Sequence, residues 1–316
     1  ADVAPLIGAN RALVRQGLKV LGARQRPGLV ALADVSRMDA APSTYHLGFL
    51  LGPRVNAGGR IGKADLGARL LATENPHEAA ALAERLDQLN TERRDIENAV
   101  RAAAMEQAEA RGFDAPLVWA AGEGWHPGVV GIVASRLKEA TNRPAIVIGL
   151  DGEEGKGSGR SVTGIDLGAA IATITREGLL AKGGGHKMAA GLTVMKDNLD
   201  AAMERLAELL DKQGAGSIGP KDLHLDGAVM PGAVTPELIE QLDLAGPFGA
   251  GAPAPRFALP AQRITFAKRA GESHLRLTAQ DANGARLDAI SFGAFDTPLG
   301  AMLENHGGKF FHLAGR

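Results

Sequence analysis

The stretch from Pro76 to Arg111 constrains this chain most, because it contains no glycine and no second proline before Gly112. Asn75 is a favourable N-cap residue, Pro76 suits the first helical position and Glu78 the third. Apolar residues recur along one helical face, at Leu82, Leu86, Leu89, Ile96, Val100 and Ala103. A continuous helix over this stretch would be about 50 Å long at 1.5 Å per residue. We therefore expect a helix that connects two domains.

The composition indicates a folded chain with more than one domain. The chain is 45% hydrophobic and 22% charged, which is near the average for globular proteins. Its length of 316 residues is more than a single hydrophobic core usually organises. The chain has no cysteine, which excludes disulfides, thiolate metal sites and a thiol nucleophile. No apolar run approaches the ~20 residues of a membrane helix and the start shows no signal-peptide pattern, so we expect a cytoplasmic protein without membrane contact. The net charge of −1 means that any binding of nucleic acid must depend on local charge.

The periodicity divides the chain into segments. Residues 10–22 and 28–36 show helical spacing, whereas the glycine-rich residues 52–62 indicate a loop. From Pro116, strands alternate with helices, which is typical of an α/β domain. Residues 213–220 resemble a linker, and the pattern after it is mostly strands separated by turns, as in a small β-barrel. We expect four segments, with boundaries at 1–74, 75–111 (the connecting helix), 112–214 (the α/β domain) and 220–316 (the β-domain).

The sequence LGPRVNAGGRIG at residues 51–62 is the first of three glycine-rich candidates for a binding site. Two arginines, Arg54 and Arg60, flank Asn56 there. A guanidinium group matches the geometry of a phosphate, and glycines would let the backbone approach a phosphodiester. The alternative is a turn at a domain edge with solvated arginines, and spacing alone leaves both open.

The second candidate is GEGWHPGVVGIVASRL at residues 122–137, where a Trp-His pair precedes a predicted helix. The N–H groups of the first helical turn, near Gly128, would then face an anion beside His126. A Trp that packs under a strand-to-helix loop, with His126 as a surface neighbour, explains the same pattern, and without further context it is slightly favoured.

The third candidate combines GKGSGRS at 155–161 with KGGGHKMAAG at 182–191. Both place glycines beside cations and a hydroxyl or imidazole group in the same α/β segment. This pattern indicates a backbone that a ligand or another part of the chain approaches closely. Neither matches the P-loop or the dinucleotide-binding pattern. A flexible hairpin explains the glycines but not the three cationic or imidazole side chains among them, which are Lys182, His186 and Lys187.

Taken in order, the motifs ADVAPL, LGPRVNAGGRIG, GWHPGVVGIVASRL, GSGRSVTGIDL, GGGHKMAAG and GPFGAGAPAPRFAL resemble those of the RecJ single-stranded-DNA exonucleases of the DHH phosphoesterase superfamily. The resemblance runs over essentially the whole chain. It departs from the family at AGGR, where AAGR is more frequent, and at GAGAP, where GxGNP is more frequent. The resemblance implies an α/β multidomain protein: the helical remainder of a DHH domain, a long connector helix, an α/β DHH-associated domain and a partial OB-like barrel.

The resemblance also implies residue roles. Asp2 matches a metal-ligand position and is the expected catalytic residue of a site for two Mn²⁺ or Mg²⁺ ions. The pocket for a 5′-terminal phosphate corresponds to Ser158, Gly159 and Arg160. The path of the DNA strand would be formed by Arg54, Asn56, Arg60, His126, Gly183, Gly184, Gly185, His186 and Lys187. The barrel would hold the strand further along, through Arg256, Phe257, Arg263 and Arg276.

The function that follows from the resemblance is 5′→3′ exonuclease digestion of single-stranded DNA by two-metal hydrolysis. The DHH triplet is absent from the sequence, so we expect a fragment, cut at both ends, that is inactive alone. Expected partners are single-stranded DNA, a single-strand-binding protein and a helicase. The alternatives are a superfamily phosphodiesterase for short RNA or cyclic dinucleotides, and a noncatalytic DNA-binding scaffold.

Overall fold

The structure is a computed structural model that describes residues 4–217 and 222–316. The chain divides into two compact units. We call Val20–Lys221 the larger unit, and Ala1–Lys19 together with Asp222–Arg316 the smaller unit. No helix in the described parts of the chain is long and apolar enough to cross a membrane.

Helices form the first part of the chain, much as the apolar spacing predicts. They are α1 (Gly8–Gly22), α2 (Pro27–Val35), a π-helical turn (His46–Leu51), α3 (Gly52–Ile61), α4 (Leu66–Ala72) and α5 (Pro76–Arg111). In the larger unit α2, α3 and α4 all pack against α5. Their shared core includes Leu32, Leu51, Leu70 and Leu86, each no more than 3% exposed.

The loop predicted over residues 52–62 is wrong, because Gly52–Ile61 is helical. Packing explains the difference, since Ala57 and Gly58 lie buried on the face that meets α5. A Cβ atom on Gly58 would lie 3.2 Å from Leu86 Cδ2 and 2.8 Å from the Lys63 carbonyl oxygen. The glycine therefore permits close helix packing, whose stabilisation outweighs the low helix propensity of glycine.

Helix α5 confirms the prediction of one continuous helix, with 36 residues from Pro76 to Arg111. The Asn75 side chain caps it by accepting hydrogen bonds from the N–H groups of His77 at 2.9 Å and Glu78 at 3.4 Å. Its first half packs on the helices before it and its second half on α6 and β1, described next.

A five-stranded sheet occupies the rest of the larger unit. Its elements are β1 (Val118–Glu123), α6 (Pro127–Thr141), β2 (Ala145–Asp151), β3 (Glu154–Arg160), α7 (Leu167–Arg176), β4 (Lys182–His186), β5 (Ala189–Met195) and α8 (Leu199–Asp211). The strand order is β1-β2-β3-β5-β4, with only β1 and β2 parallel. One apolar core lies between the sheet and α6 with α5, and a second lies between the other face and α7 with α8.

The KGGGH segment forms an edge strand, β4, that pairs with β5 along all five of its residues. The segment therefore forms a hairpin with β5, and Lys187 and Met188 lie at its turn. At the opposite edge, α5 covers β1. The Gln107 amide donates to the Ala121 carbonyl oxygen at 2.8 Å and accepts from the Ala121 N–H at 3.1 Å, as a neighbouring strand would.

The smaller unit carries a second sheet. It consists of β6 (Gly227–Ala228), α9 (Pro236–Leu244), β7 (Phe257–Ala270), β8 (His274–Gln280), β9 (Arg286–Ser291), α10 (Pro298–Glu304) and β10 (Phe310–Gly315). The order is β10-β7-β8-β9, and β6 pairs with the start of β7. The three main strands confirm the predicted β-domain, to which the structure adds two short helices capped by Thr235 and Thr297. Of the predicted linker over 213–220, residues 218–220 lie outside the described part of the chain.

Candidate nucleic-acid interface

Strand β3 presents Ser158 and Arg160 on the face covered by α6. Alternation explains this, because successive strand residues point to opposite faces. Gly155, Gly157 and Gly159 point into the core against α7, where a Cβ on Gly159 would lie 2.5 Å from Ile146 Cδ1. Gly159 therefore serves packing, and its carbonyl oxygen accepts a hydrogen bond from Arg160 Nη1 at 2.8 Å.

Glycine on α6 makes room for the two polar side chains. A Cβ on Gly131 would lie 3.0 Å from both Arg160 Nη2 and Ser158 Oγ. Arg160 Nη1 also donates to Ser158 Oγ at 2.9 Å, which leaves the hydroxyl hydrogen free to donate elsewhere. The serine and the guanidinium group are thus held together as one unit beneath the second turn of α6.

Arg60, the last residue but one of α3, lies beside the first turn of α6. Its Nη1 donates to the Gly128 carbonyl oxygen at 3.1 Å. His126 caps the same turn, because its Nδ1 accepts from the Gly128 N–H at 3.0 Å. A neutral His126 therefore carries its proton on Nε2, where it can donate to a ligand.

The electrostatics of these residues favour an anion. Burial lowers the pKa of Arg160 below the ordinary arginine value, and the charge of Arg60 lowers it further. Within the described residues no carboxylate lies within 4.0 Å of either guanidinium group. Two neighbouring cations without a counter-ion repel each other, so an anion bound between them would be stabilised by both.

A third arginine lies behind Arg60 on α5. Arg93 is only 9% exposed; it pairs with Glu97, and its Nη2 donates to Asn90 Oδ1 at 3.2 Å. Burial lowers the pKa of Arg93, the charge of Glu97 raises that pKa, and the charge of Arg60 lowers it further. The buried Nε atom of Arg93 has no hydrogen-bond partner. We call Arg60, Arg93 and Arg160 the arginine cluster. Sequence inspection missed Arg93, since it lies in a helix with no glycine-rich motif nearby.

Next to Arg160 the sheet surface is bare. Cross-strand pairs share a face, so Gly191 and Gly184 lie in one row with Ser158, and His186 lies in the row of Arg160. A Cβ on Gly184 would meet no atom within 4 Å, and one on Gly191 would meet only the Gly157 carbonyl oxygen at 4.0 Å. We call this surface of β3, β5 and β4 the glycine floor. Its cations are Lys156, Lys182 and the exposed tip residue Lys187.

The remaining predicted residues of the strand path have different surroundings. Gly183 and Gly185 point to the opposite face of the sheet, where a Cβ on Gly183 would lie 2.5 Å from Thr175 Oγ1. Arg54 is half-buried and its Nε pairs with Asp87 on α5 at 2.7 Å, so its guanidinium group joins α3 to α5. Asn56 is exposed on α3.

Asp2, the predicted metal ligand and catalytic residue, lies outside the described residues. Within residues 4–217 and 222–316, no group of three or more His, Asp or Glu side chains could hold a metal ion. The described residues therefore do not form a site that fits the two Mn²⁺ or Mg²⁺ ions that the resemblance implies.

The smaller unit has its own basic and aromatic surface. Arg263 lies over the Phe310 ring at 5.1 Å, and Arg276 pairs with Asp288 at 3.2 Å. The backbone N–H of Arg256 donates to Asp226 at 2.8 Å, and Phe257 is half-buried. On the exposed face, cross-strand pairing places Phe266 opposite Thr278 and Lys268 opposite Arg276. The sequence analysis missed Phe266 and Lys268, although alternation along β7 could have found them.

Comparisons with known proteins define the class first: this chain joins a DHHA1 domain, matched by residues 114–212, to a RecJ OB domain, matched by residues 225–316. It is 39% identical over 313 residues to the single-stranded-DNA-specific exonuclease RecJ of Dickeya dadantii, covering 95% of this chain and 53% of that protein. To the protein of the same name from Bacillus subtilis it is 34% identical over 297 residues, covering 92% of this chain and 37% of that protein.

A solved structure also resembles this chain. The crystal structure of Thermus thermophilus RecJ in complex with Mg²⁺ matches with a TM-score of 0.77 and 34% identity, over 92% of this chain and 44% of that chain. The chain is therefore similar to RecJ proteins over nearly its whole length, and it spans about half the length of the curated relatives it matches.

Proposed function

We propose that this chain is the substrate-holding part of a single-stranded-DNA-specific 5′→3′ exonuclease. The observation that carries the proposal is the pair Arg60 and Arg160, two cations without a carboxylate partner among the residues that the structure describes, placed beside an open glycine floor. The names of the RecJ relatives supply the substrate class, single-stranded DNA.

The terminal 5′-phosphate would bind at Arg160 and Ser158. Arg160 keeps Nε and Nη2 without a hydrogen-bond partner among the described residues, and Ser158 keeps its hydroxyl hydrogen. Charge-assisted hydrogen bonds to phosphate are the strong ones, and the partial burial of Arg160 strengthens them. Anchoring the chain end at a fixed place would explain why digestion starts from an end.

The strand beyond the terminal phosphate would lie along the glycine floor. Gly184 and Gly191 let a sugar–phosphate backbone approach the sheet, while Lys182 and Lys187 would neutralise phosphates and His186 would form a hydrogen bond to one. Arg60, Asn56 and His126 Nε2 would line the opposite side. Arg54 would act by positioning α3 against α5, since Asp87 already holds its guanidinium group.

Hydrolysis would depend on two divalent cations, Mn²⁺ or Mg²⁺, as in the RecJ crystal structures that contain these ions. Asp2 would be one ligand, and the others would come from the part of a full-length relative that this sequence does not contain. The contribution of this chain is then to bind and orient the strand.

The smaller unit would hold single-stranded DNA through the exposed face of β7 and β8. Lys268 and Arg276 supply charge and Phe266 a stacking surface, with Arg263 and Arg256 nearby in the sheet. Contacts with a single-strand-binding protein and a helicase, and a cytoplasmic location, also belong to this proposal. Sedimentation of the purified chain with each purified partner tests those contacts.

The decisive experiment compares binding of 5′-phosphorylated and 5′-hydroxyl oligodeoxynucleotides by fluorescence anisotropy. The chain should prefer the phosphorylated strand, and Arg160→Gln should lose about 10- to 100-fold in affinity for that strand only, since a hydrogen bond to a charged group is worth roughly 1.5–3 kcal/mol. Arg176→Gln, which changes an exposed arginine on α7 behind the sheet, is the matched control and should bind as the unmodified chain does. We expect the unmodified chain to bind the phosphorylated strand more tightly and Arg160→Gln to bind both strands with equal affinity. If Arg160→Gln still prefers the phosphorylated strand, the proposal is contradicted.

Gly184→Ala tests the glycine floor independently. The added methyl group meets no protein atom within 4 Å, so the fold should tolerate it. It should nevertheless weaken DNA binding if the strand lies on that surface. Unchanged affinity would place the strand elsewhere.

A further inference from the structure

An exposed aromatic pair lies at the start of the helical stretch that has Arg60 near its end. Tyr45 and Phe49 are stacked, with ring centroids 5.4 Å apart and planes 27° apart. They are 63% and 69% exposed. Aromatic residues make up only 4% of the chain, and Tyr45 is its single tyrosine. Burial of aromatic rings against a binding partner is favourable, so an exposed stacked pair is a candidate binding surface.

The pair lies on the same helical face as two residues of the candidate interface. The π-helical turn His46–Leu51 continues directly into α3. Phe49, Asn56 and Arg60 are separated by seven and four residues, spacings that return to one side of a helix. All of them are exposed. The aromatic pair, the amide and the guanidinium group therefore form one stripe, which ends at the arginine cluster.

We propose that Tyr45 and Phe49 form a stacking platform for bases of the single strand whose phosphates bind at Arg60 and Arg160. The inference rests on the proposed function and adds a base-binding subsite to it. Nucleic acid is the occupant favoured here because the segment from Tyr45 to Arg60 runs from rings to a cation and contains no Asp or Glu, which complements a strand of bases joined by phosphates. Stacking on such rings does not depend on base identity, since every base has a flat aromatic face.

The geometry places this subsite away from the chain end. Phe49 precedes Arg60 by eleven residues, which is about 16 Å along a helix. At the ~3.4 Å spacing of stacked nucleotides this corresponds to about five nucleotides, and to fewer in an extended strand. The platform should thus read the strand a few nucleotides from the 5′ end and favour substrates long enough to reach it.

Abasic substitution provides the test. A set of 5′-phosphorylated oligodeoxynucleotides, each lacking one base at a successive position, is titrated against the chain by anisotropy. Loss of the base at a position a few nucleotides from the 5′ end should weaken binding about fivefold or more, the lower end of what base–aromatic stacking contributes. In the double variant Tyr45→Ala with Phe49→Ala, the same base should no longer matter, whereas Phe49→Tyr should preserve its effect. Leu71→Ala, which removes a 38% exposed apolar side chain on α4, is the matched control.

A second readout locates the contact directly. Oligodeoxynucleotides with one 5-bromodeoxyuridine in place of the sensitive base should photo-cross-link to the peptide that contains Tyr45 and Phe49. Cross-links confined to other peptides, or a base effect unchanged in the double variant, overturn the inference.

The binding results distinguish an error in the stacking platform from an error in the phosphate pocket. If the double variant keeps both the 5′-phosphate preference and the base effect, the platform is wrong while the phosphate pocket stands. If the unmodified chain shows no phosphate preference, both are wrong. If the double variant abolishes a dimer seen by sedimentation and leaves DNA binding intact, the pair joins two copies of the chain, and the inference is overturned.

Discussion

Replacing Gly131 by alanine should separate stability from binding. Gly131 lies inside α6, where alanine is more favourable than glycine by roughly 0.5–1 kcal/mol because it restricts the unfolded chain and favours the helix. Against this, the new Cβ would lie 3.0 Å from Arg160 Nη2 and Ser158 Oγ, so both side-chain ends must move by a few tenths of an ångström. Side-chain ends move at little cost. We therefore expect the melting temperature to stay constant or rise by about 1–4 °C.

Binding should change in the opposite direction. A displaced Arg160 guanidinium group loses alignment with a terminal phosphate, and one charge-assisted hydrogen bond is worth roughly 1.5–3 kcal/mol, or about 10- to 100-fold in affinity. Thermal unfolding by circular dichroism and anisotropy with a 5′-phosphorylated strand measure the two effects. Gly17→Ala is the control, because Gly17 is an exposed residue inside α1 with no atom within 4 Å of an added Cβ. If Gly131→Ala binds the phosphorylated strand as tightly as Gly17→Ala, the pocket is not at Ser158 and Arg160.

Three further predictions follow from other parts of the chain. Asn75→Ala removes the cap of α5 and should cost about 1 kcal/mol, lowering the melting temperature by about 2–4 °C, whereas Asn75→Asp should retain stability; equal melting temperatures for all three proteins contradict the capping role. Hydrogen bonding to Arg205 lowers the pKa of Glu177 below its ordinary 4.5, so the stabilisation is present above that value and is lost as the pH falls through the folded-state pKa. Urea unfolding of the unmodified chain and of Arg205→Gln should therefore differ at neutral pH and converge in acid, and a gap independent of pH argues against the ion pair. Finally, the 316-residue chain should release no nucleotides from single-stranded DNA in Mn²⁺ or Mg²⁺, measured by gel assay, because one carboxylate cannot hold two ions; robust turnover would refute the assignment of the missing ligands to another part of the protein.

Local chemistry made most of the helices predictable. Asn75 and Pro76 mark the start of α5, and the absence of glycine until Gly112 marks its length. Segment 52–62 could not be predicted in the same way, because its glycines are read locally as chain breakers. The reason for Gly58 is the close approach of α3 to Leu86, a residue of a distant helix. Packing partners of this kind are invisible in a short window of sequence.

The candidate site shows the same division. Ser158 and Arg160 could be singled out from their motif and its family resemblance. Their support could not, since Gly131 comes from α6, a helix that approaches β3 only in the folded chain. The partner of Arg54 was equally hidden, because Asp87 lies on α5 and its ion pair forms only when α3 packs there.

The amide of Gln107 has a practical consequence for dissecting the protein. It occupies the backbone groups of Ala121 on the outer strand β1, yet it belongs to α5, outside the 114–212 segment that matches the DHHA1 domain. Expressing that segment alone would leave unpaired N–H and C=O groups along β1, the kind of edge that recruits strands from other molecules. A fragment that begins at Val20, the start of the larger unit, should remain monodisperse where one that begins at Asp114 aggregates.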